Sequence, residues 1–176
     1  GTIGVDLRMT QRTQAVCDVR QSCFASGSAD EVYSYCVLEH LDNPYELLDE
    51  VVRVLKPDGQ ALLRVPNIGT FSAHLDTTHR FLADLKIWKA MMQGYFQEVK
   101  IVPLGTKYRD NRVLTTINWG LVYLCGFHEL AQGWTFVCRH KRATPRQAYT
   151  GWWQEPSSQA RAVMKTENSA IERIRE

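Results

Sequence analysis

The stretch that decides the fold of this chain begins with Asp30–Leu41, which has the sequence DEVYSYCVLEHL. It continues through Leu47–Gly59, with the sequence LLDEVVRVLKPDG, and Leu62–Asn67, with the sequence LLRVPN. The first and last segments are short and apolar, as buried strands are, whereas the apolar residues of the middle segment recur at helical spacing. The order strand, helix, strand predicts a parallel sheet whose strands are joined by helices.

The helix in this stretch has the signals of a natural start and end. Asn43 is a suitable N-cap and Pro44 suits the first helical position. Acidic residues precede basic ones along its length, which matches the helix dipole. The segment Lys56–Gly59, with the sequence KPDG, predicts a turn that ends the helix.

Similar patterns extend over most of the chain. We predict strands at Thr2–Leu7, Ala15–Val19, Glu31–Leu38, Ala61–Val65, Phe96–Leu104 and Trp134–His140. A second helix is predicted over Phe81–Gln93. The predicted domain covers residues 1–142, with an irregular insertion or lid at 105–133 between the last two strands and a polar C-terminal extension at 143–176.

Composition narrows the class of protein. Apolar residues make up 44% of the 176 residues, and the formal net charge is +2, too small to predict a nucleic-acid or membrane partner. The five cysteines are odd in number and lack C-x-x-C spacing. They predict reduced, mostly buried thiols in a cytoplasmic protein, and no metal site is predicted.

An acidic residue lies at the end of each of the first two predicted strands. Asp6 lies in the segment Gly4–Leu7, and a carboxylate in that place accepts hydrogen bonds from ribose hydroxyls in nucleotide-binding sheets. Asp18 lies at the end of the second strand, where it either accepts from an adenine amino group or caps a turn. An acidic residue after a strand is also common in plain turns, so these positions alone leave both interpretations open.

The ordered segments quoted above resemble the class I S-adenosylmethionine-dependent methyltransferases of the "type 11" group. In that group a strand leads into V-L-E-H-L, a helix ends in R-V-L-K-P-G-G, and the next strand ends in V-P-N. Here Asp58 replaces the first glycine of K-P-G-G. The resemblance covers roughly residues 2–102. It implies an α/β, Rossmann-like class I methyltransferase sheet, N-terminally truncated, with helices on both faces.

The resemblance also implies a cofactor, S-adenosyl-L-methionine, and a set of residues that bind it. Asp6 would bind the ribose, Leu7 would pack on the adenine, and Asp18 with Val19 would lie at the adenine edge. The methionine part would lie against the end of the next strand, at Tyr35, Cys36 and Val37.

Two histidines and an aspartate are predicted on the substrate side. His40 belongs to the V-L-E-H-L segment, and Asp76 and His79 belong to a segment that resembles the family's D-x-T-H-x-x-F pattern. They are candidate catalytic residues, because a positioned histidine can accept a proton near neutral pH. The alternatives are a histidine that orders a loop and a helix cap at Thr77 or Thr78. Glu39 is expected to stabilise the loop.

The family's glycine-rich first loop, G-x-G-x-G, occurs nowhere in the sequence. We expect the first strand and helix to precede Gly1 in a longer parent protein; the alternative is a natural remnant that has lost cofactor binding. The predicted function is methyl transfer to an oxygen or nitrogen of a small-molecule acceptor, and a homo-oligomer is possible. The alternative is a non-catalytic interaction module. A nicotinamide-dependent enzyme is disfavoured, because the V-L-E-H-L and K-P-D-G-Q pairing is foreign to it.

Overall fold

The computed structural model describes residues 1–105 and 112–147. The strands are β1 (Val5–Asp6), β2 (Ala15–Val16), β3 (Ala29–Tyr35), β4 (Leu55–Pro66), β5 (Phe96–Leu104) and β6 (Gly133–Lys141). The α-helices are α1 (Pro44–Val54), α2 (Phe71–Leu75), α3 (Leu85–Tyr95) and α4 (Arg112–Tyr123). Short 3-10 turns occupy Leu38–His40 and His128–Leu130.

The described strands form two sheets. One has four strands in the order β3-β4-β6-β5, in which β3 and β4 are parallel and β6 runs antiparallel to both of its neighbours. The other is the short parallel pair β1-β2. Crossover helices and a mixed sheet confirm the predicted α/β class.

Helix α1 forms where the sequence predicts it. The Asn43 side chain accepts a hydrogen bond from the Tyr45 backbone N–H at 3.1 Å, and Pro44 takes the first helical position. The ring of Tyr45 stacks on Tyr95 of α3 at a centroid distance of 5.9 Å, and the Tyr95 hydroxyl donates to Asp49 at 2.6 Å. These contacts join α1 and α3 into one layer against the sheet.

The core lies between this layer and one face of the four-stranded sheet. Alternate residues of β4 are buried because successive side chains of a strand point to opposite faces. The largest fully buried side chains include Trp88, Trp134 and Phe136. On the opposite face, Tyr33 and Tyr35 of β3 remain exposed, and the guanidinium of Arg64 lies 4.2 Å from the Tyr35 ring centroid.

Several predicted boundaries are wrong. The predicted turn at Lys56–Gly59 lies inside β4, since α1 ends at Val54 and the register with β3 shifts between the pairs Ala29–Leu55 and Glu31–Gln60. Gly59 permits this bulge: a Cβ there would lie 3.0 Å from the Asp30 carbonyl oxygen. The first two strands are shorter than predicted, because only two residues of each pair with the other.

The second predicted helix begins four residues late. Phe81 and the three residues after it are not helical, and Asp84 caps α3 by accepting from the Ile87 N–H at 2.9 Å. The insertion predicted as irregular contains α4 and the turn His128–Leu130. The helix was missed because its apolar residues do not follow one clear face. Residues 148–176, including Trp152 and Trp153, lie outside the described residues, so the extension at 143–176 stays a prediction.

The cysteines are less buried than predicted. Cys138 is buried in β6, but Cys17 and Cys36 are half-buried, and Cys23 and Cys125 are exposed. All five are free thiols.

In the described part of the chain, none of the helices has both the length and the apolar content needed to cross a bilayer.

Candidate active site

A cleft of about 1070 Å³ lies beside the carboxyl end of β1 and the turn that follows β3. This is just above the upper end of the range of small-molecule pockets, roughly 300–1,000 Å³. Its lining residues are Asp6, Leu7, Arg8, His40, Asp42, Thr77, Thr78, His79 and Arg80. The cleft therefore brings the predicted ribose-binding acid together with both predicted substrate-side histidines.

The backbone of Glu39 holds the two histidine segments together. Its carbonyl oxygen accepts hydrogen bonds from the N–H groups of Arg80 and Phe81, at 2.8 and 3.0 Å. The rings of His40 and His79 consequently lie side by side, with centroids 4.8 Å apart. Residues 39 positions apart in sequence thus form one polar cluster.

A chain of hydrogen bonds orients His40. The Thr78 hydroxyl donates to the Asp76 carboxylate at 2.5 Å, and it lies 2.9 Å from Nδ1 of His40. Because the hydroxyl has only one proton and gives it to Asp76, it must accept from Nδ1–H of His40. In the tautomer with the proton on Nδ1, the free lone pair of His40 is on Nε2.

His79 is held in the same tautomer by a different partner. Its Nδ1 lies 2.6 Å from the Ala73 carbonyl oxygen, which can only accept, so Nδ1 carries the proton. Nε2 lies 3.7 Å from the Asp76 carboxylate. Both histidines thus present an Nε2 lone pair for binding a proton or another electrophile.

Glu39 is the buried member of the cluster. The residue is 1% exposed, and its Oε2 has no hydrogen-bond partner in the structure. Burial raises the pKa of this carboxyl, although the neighbouring Cys36 and the two histidines favour its ionised form. Burial, together with the charge of Glu39, raises the pKa of the Cys36 thiol to about 11.

Asp6 and Leu7 lie at the mouth of the cleft. The Asp6 carboxylate accepts one hydrogen bond, from the Arg8 N–H at 3.0 Å, and both residues are exposed. A carboxylate with this exposure has lone pairs available for ribose hydroxyls, and the Leu7 side chain offers an apolar surface. The geometry is compatible with the roles that the resemblance implies.

The remaining cofactor candidates do not line this cleft. Asp18 is held by Arg20, whose guanidinium approaches it to 2.6 Å and keeps the pKa of the carboxyl below its ordinary value. Val19 and Val37 pack against the hydrophobic core. Tyr35 lies under Arg64, and Cys36 has a positive φ of 52°, which turns the chain from β3 into the Leu38–His40 segment.

Thr78 and the three charged residues Arg8, Asp42 and Arg80 were not predicted as site residues. Arg80 and Asp42 form an ion pair at 3.3 Å on the rim. The sequence does contain a signal for Thr78, because a hydroxyl between an aspartate and a histidine can pass a hydrogen bond from one to the other. It contains no signal for the burial of Glu39, because burial cannot be read from a single sequence.

Comparison with known proteins shows what this chain is similar to. Residues 3–63 match the sequence model of a family described as a methyltransferase domain. No curated protein sequence matches the chain. Among solved structures, the chain is similar to an S-adenosylmethionine-dependent methyltransferase from Archaeoglobus fulgidus, with 20% identity and a TM-score of 0.57 over 80% of this chain and 75% of that one.

Two further structures have the same fold. A S-adenosylmethionine-dependent methyltransferase from Thermotoga maritima matches with 14% identity and a TM-score of 0.55, over 74% of this chain and 65% of that one. A Haloferax volcanii methyltransferase, solved in complex with the Trm112 methyltransferase activator, matches with 16% identity and a TM-score of 0.51, over 77% and 65%. The chain thus spans just under two thirds of these two proteins. At these identities the likeness shows the fold, which is the Rossmann-like class I methyltransferase fold.

Proposed function

We propose that this chain is part of an S-adenosylmethionine-dependent class I methyltransferase, and that its protein methylates an oxygen or nitrogen of a small-molecule acceptor. The observation that carries the proposal is the cleft. It joins Asp6 and Leu7, suited to the nucleoside part of the cofactor, to a cluster of His40, Asp76, Thr78 and His79 suited to an acceptor.

Methyl transfer requires mainly that the protein align the acceptor with the methyl group of the cofactor. The acceptor attacks the sulfonium methyl group in line, and orientation alone can contribute several kcal/mol to such a step. The acceptor's proton then needs a base. The Nε2 lone pairs of His40 and His79, fixed by their Nδ1 hydrogen bonds, can accept it.

In this proposal Asp76 is a positioning residue. Its carboxylate receives the Thr78 hydroxyl proton, and this bond orients His40. The Thr78 hydroxyl bond and Thr78 N–H bond keep the pKa of Asp76 below its ordinary value, so the carboxylate stays charged and available to stabilise a protonated histidine.

Calorimetric titration with S-adenosylhomocysteine tests the cofactor half of the proposal. We expect binding by the protein that the complete gene encodes, and the same titration is run on this chain. Asp6→Asn should weaken the affinity by about 10–100-fold, or about 1.4–2.8 kcal/mol, because ribose hydroxyls lose a charged acceptor.

Asp42→Asn is the matched control, since it makes the same chemical change in the same cleft at a residue paired with Arg80. Equal affinities for wild type and Asp6→Asn would remove Asp6 from the site. If neither this chain nor the protein encoded by the complete gene bound S-adenosylhomocysteine, the cofactor assignment would be overturned and the non-catalytic interaction module would be favoured.

A further inference from the structure

The cluster behind the cleft has the composition of a metal site. One side-chain ligand atom from each of Glu39, His40 and His79 lies within 4.8 Å of the other two. Two imidazoles and one carboxylate form a common ligand set of catalytic zinc and of non-haem iron(II). We propose that Glu39, His40 and His79 bind a divalent transition-metal cation such as Zn²⁺, with its open positions facing the cleft.

The first argument is the state of the two histidines. A metal-binding histidine usually donates its second ring N–H to a carbonyl, carboxylate or similar acceptor, which fixes the tautomer. His79 does this through Nδ1 to the Ala73 carbonyl, and His40 through Nδ1 to the Thr78 hydroxyl, which in turn donates to Asp76. Both rings are therefore oriented by the kind of outer contacts that metal sites have.

The second argument is Glu39, which points independently to a ligand. A buried polar atom without a partner costs free energy, and a carboxylate costs more than a neutral group. Oε2 of Glu39 is such an atom, in a residue that is 99% buried next to two imidazoles. A cation between the three side chains would supply the missing partner and offset the cost of burying the charge.

The spacing requires only a small adjustment. Ligand atoms around a tetrahedral zinc lie roughly 3.4 Å apart, because each is roughly 2.0–2.1 Å from the metal. The present separations, up to 4.8 Å, would close by small rotations of the two histidine side chains. A soft or borderline metal is favoured over Mg²⁺, which prefers oxygen ligands and retains its waters.

A bound cation would occupy histidine lone pairs that can otherwise accept the acceptor's proton, so cation binding is tested on the tag-free chain without cofactor or acceptor. The protein is stripped with a chelator and titrated with Zn²⁺ by calorimetry and with Co²⁺ by visible absorption. We expect one ion per chain and the d–d absorption of Co²⁺ in a low-symmetry site.

Three ligand variants and a matched control make the test specific. Glu39→Gln, His40→Gln and His79→Gln should each weaken binding at least about tenfold, since each removes one ligand. Glu98→Gln should bind as wild type does: it is the same substitution beside a histidine, His140, at 3.7 Å, where no third ligand is found among the described residues.

Thr78→Val probes the outer contacts, because it breaks the relay from Asp76 to His40 without touching a ligand. We expect about tenfold weaker binding and a changed Co²⁺ absorption spectrum. A purely structural role of Thr78 would leave the spectrum unchanged. Circular dichroism confirms that each variant is folded.

Three outcomes would overturn the site. The first is no bound ion in the folded wild type. The second is unchanged affinity in the folded His40→Gln and His79→Gln variants. The third is binding that disappears in the Cys17→Ser/Cys23→Ser double variant, which would place the ion on these two thiols. Failure here leaves the S-adenosylhomocysteine titration unaffected, so the two proposals can fail separately.

Discussion

Two buried glutamates, one on helix α1 and one beside the cleft, differ in the hydrogen-bond partners of their carboxyl groups. Glu50 is 7% exposed, accepts from Ser22 at 2.5 and 2.7 Å, and pairs with Arg53 at 2.7 Å. Glu39 is 1% exposed and leaves Oε2 without a partner. The pKa of Glu50 is lowered to about 2, mainly by Arg53, whereas burial raises the pKa of Glu39.

The difference separates a stabilising region from a functional one. Around Glu50 every charge has a partner, so the ionised state stabilises the fold. Around Glu39 the protein tolerates an unfavourable group at a cleft, which is the pattern expected where a ligand completes the site. The following substitutions test this contrast, beginning with the hydrophobic core as a reference.

The largest expected effect is in the hydrophobic core. Phe136→Ala should lower the free energy of unfolding by about 3–5 kcal/mol, because it leaves a cavity at a fully buried position of β6. Phe71→Ala is the matched control: Phe71 is 79% exposed, and its loss should cost no more than about 0.5 kcal/mol. Urea unfolding followed by circular dichroism measures both, and equal losses would contradict the assignment of the core.

Glu50→Gln should destabilise the protein by about 1–3 kcal/mol at pH 7, since Arg53 and Ser22 lose a charged acceptor. Glu46→Gln on the same helix is the control. Glu46 is exposed and lies 3.4 Å from Arg20, so its loss should cost less than about 1 kcal/mol. If the two variants were equally stable in urea, Glu50 would be no more than a surface charge.

The same carboxylate predicts a pH dependence. The folded-state pKa of Glu50, about 2, lies below its ordinary value of 4.5, so the unfolded chain binds the proton first as the pH falls. Its contribution is therefore complete above about pH 4.5 and is lost progressively down to about pH 2. Urea unfolding at a series of pH values should show a shallower decline for Glu50→Gln than for wild type across this range; parallel curves would be inconsistent with the lowered pKa.

The smallest expected effect has the opposite sign. In chelator-treated protein at pH 7, Glu39→Gln should leave stability unchanged or raise it by up to about 1 kcal/mol, because it removes a buried charge that has no partner for Oε2. The backbone carbonyl that holds Arg80 and Phe81 is unaffected. If Glu39→Gln lowered the free energy of unfolding as much as Glu50→Gln, the Glu39 side chain would be stabilising the folded structure.

Prediction from sequence succeeded where the signal was local. The cap at Asn43, the proline after it and the helical spacing of apolar residues identified α1, because capping and periodicity act over a few neighbouring residues. It failed at Lys56–Gly59, where pairing with β3 draws a turn-like sequence into a strand. It also failed at α4, whose apolar residues are spread around the helix.

The site was predicted in part for the same reason. His40 and His79 were singled out by motif, but their contact depends on hydrogen bonds from Arg80 and Phe81 to a carbonyl about 40 residues away. Asp18 followed a strand as predicted, yet its carboxylate is held by Arg20. Ion pairing and burial of this kind depend on which segments meet in space.

The ordered motifs from Asp30 to Asn67 were enough to predict the α/β fold, and the apolar segment before it marked Asp6 as an acid at a strand end, because both depend on local pattern and chain order. Tertiary structure alone decided that the Glu50 carboxylate is bonded to Ser22 whereas Oε2 of Glu39 has no hydrogen-bond partner, and that two histidines from separate turns share one tautomer and one cleft. The physical reason is that the ionisation and bonding of a side chain depend on its solvent exposure and on its nearest neighbours. Both are set by packing between segments that are distant in the chain.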